Sequence, residues 1–64
     1  MKFPHKQFPH TQTIYFDNGS IRRLRGITHI EEGKWTHIFC RNELGGTREI
    51  MVNPTRVLFI EVTV

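Results

Sequence analysis

Apolar and polar positions alternate along much of this chain with the two-residue period of half-buried β-strands. Thr11–Asp17 reads as a first strand, with Ile14 and Phe16 on one face and Thr13 and Tyr15 on the other. Asn18-Gly19 follows directly, and both residue types tolerate the positive φ that a type I′ hairpin turn requires. A two-residue loop there sets Phe16 opposite Ile21 and Ile14 opposite Arg23. The first pair belongs in a core and the second does not. The pattern therefore predicts either a bulge near Arg22-Arg23 or an arm that bends out of the sheet.

The next segment, Ser20–Glu32, breaks the alternation. Ile21, Leu24, Ile27 and Ile30 recur every three residues, which fits neither a regular strand nor a regular helix. A helix would be capped by Ser20 and ended by Gly33. It would also carry Gly26 in its interior at a cost of about 1 kcal/mol, and Glu31 and Glu32 at the negative end of its dipole. A strongly bent strand with its bend at Gly26 is the preferred reading.

Beyond a turn at Glu32-Gly33, Lys34–Arg41 is rich in β-formers (Trp35, Thr36, Ile38, Phe39). Asn42–Thr47, with Gly45-Gly46, reads as a hairpin loop, and Arg48–Val52 as a short strand broken by Asn53-Pro54. Val57–Val64 is almost wholly apolar and β-branched, without alternation over Val57–Ile60. Such a run marks a strand covered on both faces, lying centrally or against another chain. The expected fold class is all-β: a small five-stranded SH3-like or Sm-like barrel, or a curled antiparallel sheet, over residues 11–64. Residues 1–10 read as an extended N-terminal arm, because Pro4 and Pro9 cannot donate to a sheet ladder. The arm repeats Phe3-Pro4-His5 as Phe8-Pro9-His10. Its phenylalanines either cap an end of the core or dock on a neighbouring molecule.

Size sharpens the question of what holds this together. Sixty-four residues form one domain, and a core of that size supplies roughly 3–5 kcal/mol. Cys40 is the only cysteine, so no intrachain disulfide adds to it. The lone thiol, the lack of an apolar leader in MKFPHKQFPH and the lack of a long apolar run point to a cytoplasmic protein. The formal charge is +3 and unevenly spread. Residues 1–30 carry five basic residues against Asp17 alone, and residues 31–64 carry four against five glutamates.

That asymmetry makes Arg22, Arg23 and Arg25 the leading candidate site. Guanidinium forks match phosphate oxygens, and a strand presents Arg23 and Arg25 on one face. Tyr15 and Trp35 are the aromatics expected to stack on bases, as in single-strand binders. The competing reading is a solvated edge whose charges suppress aggregation. His5, His10, His29 and His37 lack the spacing of a metal centre and read as surface histidines, so no metal or cofactor is expected. Cys40 reads as a small buried hydrophobe. Adjacent Glu31 and Glu32 point to opposite faces of a strand and read as solubilising turn residues. With no catalytic constellation, an enzyme is not expected.

From Phe16 onward the outline resembles Sm-like proteins: a turn glycine (Gly19), a glycine within a bent strand (Gly26), two further strands (Trp35–Arg41, Arg48–Val52) and a short final one (Val57–Val62). The stretch Met51–Val57 is similar to the end of LytTR-type DNA-binding domains. Neither resemblance transfers a functional residue. The expected function is a small binding module for single-stranded nucleic acid. The alternative is a homo-oligomeric or partner-docking protein without a nucleic-acid role. Neither a membrane nor a small-molecule substrate is an expected partner.

Overall fold

The computed structural model describes residues 2–63. Met1 and Val64, the ends of the arm and of the last strand as read from the sequence, lie outside the described residues. Five strands form one antiparallel sheet: β1 (His10–Phe16), β2 (Ile21–Glu31), β3 (Thr36–Arg41), β4 (Thr47–Val52) and β5 (Val57–Thr63). A 3-10 turn over Pro54–Arg56 links β4 to β5, with Asn53 as its cap: the Asn53 side chain accepts from the Thr55 backbone N–H. The strand order is β4-β3-β2-β1-β5, so β4 and β5 are the two edges. The sheet is not closed into a barrel. Of the two architectures expected, it is the open antiparallel sheet that forms. The segment over residues 20–32 is strand rather than helix.

The first hairpin corrects the expected turn. Phe16 N–H donates to the Ser20 carbonyl at 2.9 Å and Gly19 N–H to the Phe16 carbonyl at 3.1 Å. Asp17, Asn18 and Gly19 therefore form a three-residue loop, with only Gly19 at positive φ (+89°). This is the type I turn closed by a left-handed glycine, not the two-residue type I′ turn. The added loop residue moves the register by one, so Ile14 faces Arg22 and Gln12 faces Leu24. Ile14 finds its apolar partner on the other side, where it pairs with Ile60 of β5.

Two bulges in β2 produce its three-residue period. Between the pairs His10↔Ile27 and Gln12↔Leu24, β2 advances three residues while β1 advances two. Between Ile27↔Cys40 and His29↔Phe39, β2 again carries one residue more than its partner. Each bulge returns the next isoleucine to the inner face, so Leu24, Ile27 and Ile30 are all buried. The expected bulge near Arg22-Arg23 is thus displaced to Arg25-Gly26 and Thr28. Ile21 belongs to the other face, where it opposes Tyr15 and is exposed.

The core comprises Phe3, Ile14, Leu24, Ile27, Ile30, Ile38, Cys40 and Val52. Among the described residues no second layer of secondary structure covers it, and the arm contributes to the core instead. Phe3 enters the cluster, its backbone N–H donates to Glu32 Oε1 at 2.5 Å, and the Pro4 carbonyl accepts from Gln12 Nε2 at 2.9 Å. Glu32 therefore anchors the arm rather than serving only to solubilise a turn. His10 is buried, a correction to the reading of all four histidines as surface residues. Of the two placements expected for the apolar run at the C-terminus, the central one is overturned. The run forms an edge strand, with Leu58 and Phe59 exposed and Val57, Ile60 and Val62 half-buried.

Candidate nucleic-acid interface

The bulge at Arg25-Gly26 sets the geometry of the basic site. Gly26 has φ +67°, and a Cβ placed on it would lie 3.6 Å from the Cβ of Arg41. This close approach brings the end of β3 against β2 at the position next to Arg25. The β3–β4 loop repeats the design of the first hairpin. Asn42 N–H donates to the Gly46 carbonyl at 2.9 Å, Gly45 N–H to the Asn42 carbonyl at 3.1 Å, and Gly45 takes the positive φ (+84°). Asn42 Oδ1 accepts from the N–H groups of Leu44 and Gly46, which fixes the loop. Arg41 and Arg48 flank it.

Arg23, Arg25, Arg41 and Arg48 consequently line one hollow of about 770 Å³, completed by Asn42, Glu43 and Leu44. All four arginines are exposed. Among the described residues, no carboxylate lies within ion-pairing distance of any of them. The acids other than Glu43 have partners of their own, although Glu61 and Arg23 flank Thr13 on neighbouring strands. Asp17 faces Arg56 at 3.5 Å, Glu31 faces His29 at 2.9 Å, Glu49 faces His37 at 2.5 Å, Glu32 holds the arm, and Glu61 accepts from the Tyr15 hydroxyl. Glu43 alone lines the hollow. Arg23 also donates from Nε to Thr13 Oγ1 at 3.3 Å, which steadies its stem across β1.

The residues expected from the sequence divide. Arg23 and Arg25 are brought together. Arg22 opposes Ile14 on the face of β2 opposite to Arg23 and does not line the hollow. Tyr15 stacks on Phe59, with ring centroids 4.3 Å apart and planes at 17°. Its hydrogen bond to the Glu61 carboxylate raises the phenol pKa, with burial a smaller contribution. Trp35 is exposed just before β3, whereas Arg41 closes that strand, so the indole lies at the opposite end of it. Neither aromatic lines the hollow. Arg41 and Arg48 were not singled out from the sequence. Their signal was their position astride the Gly45-Gly46 loop, once β2 and β3 are paired.

The histidines do not converge. His29 opposes Phe39, His37 opposes Met51, and among the described residues no group of three His, Cys, Asp or Glu side chains is placed to hold a metal ion. Cys40 is buried in the core on the face opposite His37. No described helix is long and apolar enough to cross a membrane. Comparison with protein-family models, curated proteins and solved structures finds no match for the chain.

Proposed function

We propose that this domain is a non-enzymatic binding module for single-stranded nucleic acid, gripping the phosphate backbone with Arg23, Arg25, Arg41 and Arg48. The observation that carries this reading is that four arginines line one hollow in which Glu43 is the only acid. Arginine remains protonated across the working range and forks onto phosphate oxygens, so the hollow binds anions without transferring protons. A concave site admits a flexible strand threading between the side chains more readily than a stiff duplex. With the aromatics outside the hollow, binding is governed by charge and tolerates changes of base sequence. The SH3-like or Sm-like grouping belongs to the same proposal. The glycine-bent second strand supports it, and the open edges at β4 and β5 count against it.

Four phosphate contacts on a single strand give a log K versus log salt slope of about −3, so a fourfold rise in salt weakens binding about fiftyfold. Fluorescence anisotropy with labelled single-stranded RNA and DNA, and with a duplex for comparison, measures both the affinity and this slope. An absence of binding at low salt removes the proposal.

A further inference from the structure

We infer that β5 is a self-pairing edge, joining antiparallel to β5 of a second copy about a two-fold axis centred on Phe59. The two edges of this sheet are treated differently by the sequence. β4 carries Arg48 and Glu49 side by side, charges that discourage strand addition. β5 carries one charge, Glu61, in seven residues and has neither proline nor lysine; its one irregularity is the extra residue Leu58, where the register with β1 shifts. It is nevertheless the more apolar edge, with Leu58 60% and Phe59 50% exposed. Val57 and Ile60, which pack against the core, are only half-buried there.

The Tyr15–Phe59 stack gives this edge a direction. Tyr15 lies on β1, on the inner side of β5, and covers one face of the Phe59 ring. The opposite face looks past the edge of the sheet, where the described residues supply no further strand.

Charge selects the occupant and the register. An antiparallel self-pair about Glu61 sets the two carboxylates directly opposite each other, which is destabilising. A pair about Ile60 sets Phe59 against the carboxylate of Glu61 on the second copy. A pair about Phe59 sets ring beside ring, extending Tyr15–Phe59 into a four-ring stack, sets Leu58 opposite Ile60 in both directions, and leaves Glu61 to face Val57 at the outer ends of the pairing, away from the rings. It also keeps the two Glu61 residues about 13 Å apart along the strands. The edge is thus complementary to itself in one register, through a two-fold interface in which each copy offers the same residues. The dimer presents two arginine hollows, though its formation does not depend on what they bind.

Analytical ultracentrifugation from high-micromolar to sub-micromolar concentration tests the inference directly. The expected result is a dimer that dissociates on dilution, is converted to monomer by Leu58→Lys and by Phe59→Lys, and is unchanged by Met51→Lys on the other edge. Circular dichroism confirms that each variant is folded. Opposed residues of an antiparallel pair lie about 4.5–5.5 Å apart at Cα, within disulfide range. Phe59→Cys is therefore expected to form a covalent dimer on mild oxidation, and Glu61→Cys is not; the buried Cys40 leaves the wild-type chain uncrosslinked. A wild-type monomer throughout the range overturns the inference. So does a dimer that survives both lysine variants, or one crosslinked through position 61. A monomer whose nucleic-acid binding falls with Phe59→Ala would assign the free ring face to a base, and that too overturns the dimer.

Discussion

At the scale of single residues, identical neighbours meet opposite fates. Phe3 and Phe8 share the Phe-Pro-His setting, yet Phe3 is 2% exposed and Phe8 38%. The difference is tertiary. Phe3 is pulled inward by the bonds from its own N–H to Glu32 and from Gln12 to the Pro4 carbonyl, partners far along the chain or on the first strand. Nothing in a five-residue echo distinguishes the two copies, so burial of the arm was legible only as one of two options. Phe3→Ala should cost about 3 kcal/mol or more, comparable with the whole stability of a domain this small. Phe8→Ala should cost about 1 kcal/mol or less. Urea unfolding of the two variants makes the comparison.

His10 is the other residue whose character changes with folding. Pro4 offers only a carbonyl acceptor, so the Gln12 amide must present its nitrogen there, and that same nitrogen meets His10 Nε2 at 2.9 Å. Nε2 is therefore the acceptor, and the proton of the neutral ring sits on Nδ1. Protonating Nε2 would oppose two donors. Burial lowers the His10 pKa, a nearby His5 lowers it further, and a backbone hydrogen bond with Gln7 partly offsets both. The unfolded chain then binds a proton more readily than the folded one. Stability from this residue is complete above the ordinary histidine pKa of about 6.5 and declines as pH falls below it, levelling off under the folded value. The melting temperature should fall between about pH 7.5 and pH 5 in the wild type and fall less in His10→Gln. The other three histidines are present in both proteins, so the difference between the two curves isolates position 10.

At the scale of elements, the strands were legible because their alternation and turn residues are local. β2 shows where that ends. Its isoleucines and leucine announce a three-residue repeat, but only pairing with β1 and β3 reveals that two inserted residues create it. A bulge is a property of two strands, and one strand cannot declare it. Gly19 was legible as a turn glycine although the turn is a residue longer than Asn-Gly alone implies. Gly26 was legible as a bend, and its role in seating Arg41 was not. Gly26→Ala meets ordinary contact distances but must adopt φ +67°, a left-handed conformation costing an L-residue about 1–2 kcal/mol. Chemical denaturation should show that loss. Relaxing the bulge should also weaken nucleic-acid binding by turning Arg25 away from Arg41. Gly33→Ala, at a position without positive φ, serves as the control and should change neither.

At the scale of the whole molecule, the charge map drawn from the sequence covers two of the four arginines that line the hollow. The excess of positive charge over residues 1–30 located Arg23 and Arg25, but the other two arginines of the hollow come from the half with a formal excess of acid. Folding separates those acids from Arg41 and Arg48 by drawing Glu31, Glu32 and Glu49 onto histidines and the arm. The result distinguishes the folded surface from the linear cluster by experiment. If binding followed local sequence charge, Arg22 would matter as much as its neighbours. If it follows the hollow, each of Arg23→Ala, Arg25→Ala, Arg41→Ala and Arg48→Ala should flatten the log K versus log salt plot by about 0.7 for a single strand, and Arg22→Ala should leave the slope unchanged. Removal of Glu43, the one acid in the lining, by Glu43→Gln should raise affinity at low salt without altering the number of phosphates engaged. Salt titrations of this variant set separate a three-dimensional site from a run of arginines. An equal effect at Arg22 and Arg41 would mean that the strand alone, not the enclosure formed by β2, β3 and β4, is what attracts the polyanion.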